Sequence, residues 1–167
     1  MTGTLPPSAE SILRGNLFFT CARILRTDCD RPNLRYCVQS IKHETRGDKR
    51  IGPLDILLHA ALNVCRQDLR DWQRGTEATA RGICFVRNKG LGGKLASSLG
   101  CHLYTGDLSD TVRERVSTAW NLGYDSPYIV TTAAFGAGVD YPSVRRVLHL
   151  DTPSGLLDYA QETGRAG

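Results

Sequence analysis

Gln161 and Arg165 stand four residues apart, so both tips can reach one ligand if a helix carries them. A guanidinium is a planar, permanently charged fork suited to phosphate oxygens, although an ordinary surface polar pair has the same spacing. Upstream, residues 131–140 read Thr-Thr-Ala-Ala-Phe-Gly-Ala-Gly-Val-Asp. Thr131 and Thr132 close an apolar run with hydroxyl and amide donors. Ala133 and Ala134 leave room for a close approach, and Gly136 and Gly138 permit tight turns. Asp140 ends this loop with a carboxylate that, taken alone, is a turn residue capping backbone amides. A third donor cluster, Arg87-Asn88-Lys89, follows the apolar run 82–86, where such groups either hold phosphate or are simply solvated. The nearby Gly90-Leu91-Gly92-Gly93-Lys94-Leu95 is not a phosphate-cradling loop. Leu95 stands where a magnesium-binding hydroxyl is needed, and Asn88 where the first glycine belongs.

These groups need elements to aim them. Residues 128–130 and 144–150 read as strands on either side of the glycine loop, and a short helix then delivers Gln161 and Arg165. The run 82–86 is short and wholly apolar, as a strand of a parallel sheet must be. A helix over about 90–99 follows, weakened by Gly92 and Gly93, then a strand at 102–105. Thr111 with Glu114 has capping-box spacing ahead of a helix that runs to Trp120. The longest helix spans 53–74 and ends at Gly75. Leu54, Leu58, Ala61, Cys65, Leu69 and Trp72 repeat at three- and four-residue steps, with Asp55, Arg66, Asp68, Arg70 and Asp71 on the other positions. Towards the amino end, Ser8 is placed to cap a helix over 9–17, strands are expected at 22–27 and 34–41, and 42–50 is a charged loop. Strand and helix alternate throughout, which predicts an α/β fold with a mainly parallel sheet.

Two ordered stretches carry a family resemblance. Thr132-Ala133-Ala134-Phe135-Gly136-Ala137-Gly138 resembles motif V of the RecQ family of superfamily-two helicases, T-x-A-F-G-x-G, and 161–167 resembles the start of its motif VI, Q-E-x-G-R-A-G-R-D-G. Thr2-Gly3-Thr4-Leu5-Pro6-Pro7 is similar to motif III, and Asp30-Arg31-Pro32-Asn33-Leu34-Arg35-Tyr36 to the family's inter-domain linker. The resemblance implies the end of a first motor domain with its linker (1–33), then a second RecA-like domain (34–167) built as a three-layer sandwich. It implies DNA contacts at Arg87, Asn88, Lys89, Thr131 and Thr132, where the first three replace the family's usual Ser-Arg. It also implies nucleotide contacts at Gly138, Asp140, Gln161 and Arg165, with Gln161 and Arg165 in the catalytic role. ATP with Mg2+ would be the nucleotide, and single-stranded DNA and duplex junctions the partners of an ATP-dependent 3′-to-5′ helicase in recombination and repair.

Other parts of that machine are not in the 167 residues: a Walker A lysine, an Asp-Glu-x-His box and the second motif VI arginine. The resemblance therefore reads the chain as a fragment missing its first motor domain and inactive alone. The rival readings are a non-catalytic nucleic-acid-binding remnant and an RNA helicase relative. No metal site is expected. A formal charge of +4 permits a polyanionic partner without requiring one. Six scattered cysteines without a C-x-x-C pair read as reduced, buried apolar residues, and no run approaches the ~20 apolar residues of a membrane span. The expected location is intracellular, in the nucleus if the source is eukaryotic.

Overall fold

The computed structural model describes residues 6–18, 21, 23, 31–41, 52–75, 78–132, 135 and 141–166. The chain divides into two compact units, 1–35 and 36–167. In the first, a 3-10 turn at Pro7–Ala9 leads into α1, Glu10–Asn16. Ser8 lies inside the turn and does not cap the helix, because Ala9 takes the cap position without a side-chain bond. The strand expected at 22–27 and the loop at 42–50 lie outside the described residues, apart from Arg23.

The second unit is built on a four-stranded, wholly parallel sheet. Its strands are β1 (Arg81–Phe85), β2 (Leu103–Tyr104), β3 (Tyr128–Thr131) and β4 (Val144–His149), in the order β2-β3-β1-β4. Every residue of the two central strands is buried, which is why both read as unbroken apolar runs. Alternation along them divides the core. Cys84, Val86, Tyr128 and Val130 face α2 (Pro53–Arg74) and α3 (Lys89–Leu99). Ile83, Phe85 and Ile129 face Val116 and Trp120 of α4 (Asp110–Leu122). The parallel α/β sheet expected from the alternation of elements, and the three-layer sandwich that the resemblance implies, are the ones observed.

Several local expectations are overturned. No strand forms at 34–41. These residues are mostly exposed, Val38 almost completely, and a strand needs a ladder partner that they lack among the described residues. The Thr111–Glu114 capping box does not form either. The helix begins two residues earlier than that box requires, with Ser109 at its cap position and Asp110 paired to Arg113 in the first turn. Gly92 is a packing requirement: a Cβ there would come within 2.7 Å of Val86 Cγ2 and 3.0 Å of Leu103 Cδ1. Nor are all the cysteines buried. Cys65 and Cys84 are, with sulfurs 3.7 Å apart, but Cys21 and Cys37 are exposed and Cys101 is half-buried. The bond between the two buried thiols pulls Cys65 down and, with burial, pushes Cys84 up, while burial, against a backbone hydrogen bond at Val130, takes Cys101 to about 12.

Asp68 is the largest departure. Its place among polar residues of α2 suggested a solvated face, yet it is buried beneath the helix. Tyr128 Oη donates to its Oδ2 at 2.5 Å, and Arg146 donates bidentately, Nε to Oδ2 at 2.8 Å and Nη2 to Oδ1 at 2.7 Å. Trp72 stacks on the Tyr128 ring at 5.4 Å, and that ring fills the space a side chain at Gly82 would need. Burial holds the Tyr128 phenol well above its usual range, and the bond to Asp68 holds Arg146 charged. At the same end of the sheet, Arg81 donates from Nε to Trp120 O at 2.9 Å and from Nη1 to Thr79 O and Ala80 O. A cation at the last turn of α4 opposes the helix dipole. It leaves no room for a side chain at Gly123, whose φ of 81° suits glycine.

Asp68→Ala would leave the Tyr128 hydroxyl and the Arg146 guanidinium without their acceptor. The expected loss is about 2–3 kcal/mol in urea unfolding, below the figure for a fully buried pair because the Arg146 side chain keeps 43% exposure. A loss under about 0.5 kcal/mol, the size of a surface substitution, would contradict this account.

Candidate functional site

The carboxyl ends of the strands lie together because the sheet is parallel, so the loops after β1, β3 and β4 open on one edge. Register brings Phe85 of β1 opposite His149 of β4, and Leu150 N–H donates to Phe85 O at 3.0 Å. Two residues on, Asp151 Oδ2 accepts from Arg87 N–H at 2.8 Å and from Asn88 N–H at 3.4 Å. The loop of donors after β1 is thus held by a carboxylate at the end of β4. Asn88 turns its side chain inwards, its Oδ1 accepting from Leu91 N–H at 2.9 Å as the cap of α3. Lys89 pairs with Asp107, and Arg87 lines a shallow recess with Phe85, Val86, His149, Asp151, Pro153, Ser154 and Glu162. Of the three expected contact residues, Arg87 and Lys89 present exposed cations, whereas the Asn88 side chain is engaged by its own helix.

Thr131 and Thr132 separate in the same way. Thr131 is completely buried and donates from Oγ1 to Thr132 O at 2.7 Å, so its hydroxyl is turned away from any ligand. Thr132 stands half-buried at the mouth of the strand, its N–H donating to Tyr104 O. Of the glycine loop that follows, Phe135 is described, and Ala133, Ala134, Gly136, Gly138 and Asp140 lie outside the described residues. The two described residues that flank the glycines are anchored together. Phe135 and Tyr141 stack at 5.7 Å, and both meet Trp120 edge-on, at 5.4 and 5.1 Å. Burial raises the Tyr141 phenol, opposed by a hydrogen bond with Ser117 and by the positive charge of Arg165.

The helix after β4 is α5, Leu156–Thr163. It stops before Arg165, so Gln161 and Arg165 do not share a helical face. Thr163 Oγ1 donates back to Tyr159 O at 2.7 Å, and beyond it Arg165 N–H reaches Glu162 O and Ala166 N–H reaches Thr163 O. These are i→i+3 bonds of a tighter turn, which rotates Arg165 out of register with Gln161. Arg165 is half-buried and Gln161 exposed. Sequence reasoning missed His149 and Glu162. His149 Nε2 and Glu162 Oε2 lie 2.8 Å apart, with the imidazole stacked on Phe85 at 5.3 Å and against Tyr159 at 5.3 Å. A histidine interrupting the apolar run 144–150 was the only sign of it. No cluster of three or more His, Cys, Asp or Glu suited to a metal ion occurs among the described residues.

Known proteins similar to this chain include several helicases. The ATP-dependent DNA helicase RecQ of Synechocystis sp. is 38% identical over 91 residues, covering 52% of this chain and 19% of that protein. The RecQ-like DNA helicase BLM of Xenopus laevis is 28% identical over 172 residues, covering all of this chain and 11% of that protein. The chain therefore spans under a fifth of these relatives' lengths. Among solved structures, a substituted S. cerevisiae Dbp5 bound to RNA and ADP BeF3 superposes with a TM-score of 0.70 at 19% identity, over 99% of this chain and 40% of that one, which establishes the RecA-like fold. Residues 67–167 match the helicase conserved C-terminal domain, and by that match over more than half its length the chain belongs to this family.

Proposed function

We propose that this chain serves as the second motor domain, with the preceding linker, of a RecQ-like ATP-dependent 3′-to-5′ DNA helicase. The observation that carries the reading is that β1, β3 and β4 end at one sheet edge, where Asp151 after β4 holds the donor loop after β1. The donor loop after β1, the glycine loop after β3 and the turn after α5 are the segments that resemble the family's motifs IV, V and VI. Sequence similarity to DNA helicases of the RecQ family supports DNA as the polymer. The RNA-bound neighbour at 19% identity shares the fold, and a reading as an RNA helicase has no sequence support of comparable strength.

In this reading Arg87, Lys89 and Thr132 touch the strand through its phosphates, so binding tolerates any sequence. Arg165 faces the nucleotide phosphates from its turn and stabilises the charge that develops during transfer, with Gln161 beside it and Asp140 and Gly138 near the sugar. The Arg165 guanidinium suits that place because its charge is permanent and its planar fork matches phosphate oxygens. Mg2+ supplied with ATP would neutralise the β- and γ-oxygens. This segment offers one wall of the nucleotide cleft. The magnesium-binding carboxylates and the phosphate cradle belong to the other motor domain, and the cycle of closing and opening steps the protein along one strand.

Two measurements test the reading. In a two-domain protein carrying this segment, Arg165→Ala lowers DNA-stimulated phosphate release by about 10²–10³-fold, the scale for loss of one charge-stabilising donor. The 167-residue chain alone releases none above background. Sustained DNA-stimulated turnover by the chain alone, insensitive to Arg165→Ala, would assign it to a different machine.

Binding of single-stranded oligonucleotides should be weak and salt-dependent. Replacing Arg87 and Lys89 by alanine should flatten the plot of log affinity against log salt by about 0.7 for each cation removed. An unchanged slope in fluorescence titrations would remove this loop from the contact surface.

A further inference from the structure

We infer that His149 is the positioning residue of this site: it docks α5, and with it Gln161 and Arg165, onto the carboxyl edge of the sheet. The inference rests on the reading of Gln161 and Arg165 given above and adds a residue that no motif resemblance assigns. Its basis is the enclosed bond between His149 and Glu162 on a helix that buries few side chains. Within α5 only Thr163 is buried, and Leu156 and Leu157 at its start are exposed. A helix of eight residues gains little from its own hydrogen bonds, so its place depends on what it packs against. The Glu162 side chain reaches His149 at 2.8 Å, and both side chains are nearly enclosed, at 13% and 14% exposure. Enclosure sharpens the geometry of such a bond, since little water competes for either partner.

The imidazole is itself held on two sides. Phe85 lies parallel to it across the β1–β4 ladder, and Tyr159, one turn before Glu162, closes over it, with Tyr36 against Tyr159 at 6.2 Å. His149 therefore has a single orientation, set by the sheet, and it offers that orientation to α5. Glu162 is the direct neighbour of Gln161 and accepts the Arg165 N–H at its carbonyl, so fixing Glu162 fixes both. The same strand supplies Asp151 to the donor loop two residues later, so one strand end aims both the strand-contact loop and the phosphate-facing turn.

Amide hydrogen exchange on the 167-residue chain tests the docking without reference to activity. In His149→Ala, and separately in Glu162→Ala, amides of 156–164 should exchange about tenfold faster, the scale for loss of one hydrogen bond to a charged group. Amides of 81–85 and 128–131 should stay within twofold of the parent. Alanine favours helix, so faster exchange in Glu162→Ala does not come from propensity. Unchanged exchange in 156–164, or equal acceleration in the sheet, overturns the inference. In the two-domain protein, His149→Ala should lower kcat for ATP about tenfold with KM within threefold, and His149→Gln, which keeps a donor to Glu162, should recover most of it. An unaltered kcat overturns the positioning role. If that protein shows no DNA-stimulated hydrolysis at all, the helicase reading fails and the exchange result alone decides the docking.

Discussion

Asp68 is the constraint on which the second unit depends. It lies 60 residues from Tyr128 and 78 from Arg146, and it joins a helix to two strands that are not neighbours in the sheet. A carboxylate under a helix is costly unless each oxygen is satisfied. Here Oδ1 takes one guanidinium nitrogen, and Oδ2 takes the other together with a phenol that burial keeps neutral. Only one placement of α2 over the sheet satisfies all three bonds. Apolar packing would accept several, because Leu, Ala and Cys contacts are not directional. The Tyr128 ring is then stacked under Trp72 and pressed onto Gly82, which fixes the spacing of β1 and β3.

The two ends of the sheet are built differently. At the amino end, buried charges are locked: Arg81 on the carbonyl of Trp120, Asp68 on Arg146. At the carboxyl end, polar groups are half-buried, the helix is short, and carboxylates hold backbone amides or a histidine. A rigid base under a more adjustable rim is the division expected where one edge keeps the fold and the other meets ligands. It also explains why the aromatic cluster of Trp120, Phe135 and Tyr141 lies where it does. The cluster pins Phe135 and Tyr141 to the α4 face.

Elements set by apolar pattern were legible from the sequence. The 53–74 helix, the central strands and the alternation that makes the sheet parallel all follow from burial, and burial is written in residue type. What was not legible depends on partners far along the chain. Asp68 looked like one more charge on a polar face, and only Tyr128 and Arg146 make its burial tolerable. Thr111 had the spacing for a capping box, but the helix began two residues earlier, where Asp110 meets both the dipole and Arg113. Residues 34–41 had strand propensity and no ladder. In the site, the motif resemblance drew attention to Arg87, Thr132 and Arg165. It could not say that the Asn88 side chain serves its own helix, that the Thr131 hydroxyl faces inwards, or that Arg165 lies past the last helical turn. Those are matters of a single hydrogen bond each.

The choice between DNA and RNA shows where fold-level likeness stops. A parallel sheet with its loops on one edge suits any polyanion, and a neighbour bound to RNA shares the fold at 19% identity. Phosphate contacts from Arg87, Lys89 and Thr132 would be equally good on either polymer, since neither cations nor a single hydroxyl read the base or require the 2′-hydroxyl. Discrimination must therefore come from side chains that follow the family's sequence and not from the architecture. The stretch with Phe135 between Ala134 and Gly136 is where this chain keeps the RecQ pattern, and Phe135 is buried against Tyr104, Trp120 and Tyr141. A buried aromatic does not touch the polymer. It anchors the stretch against Trp120 of α4, so the family signature is partly a packing signature.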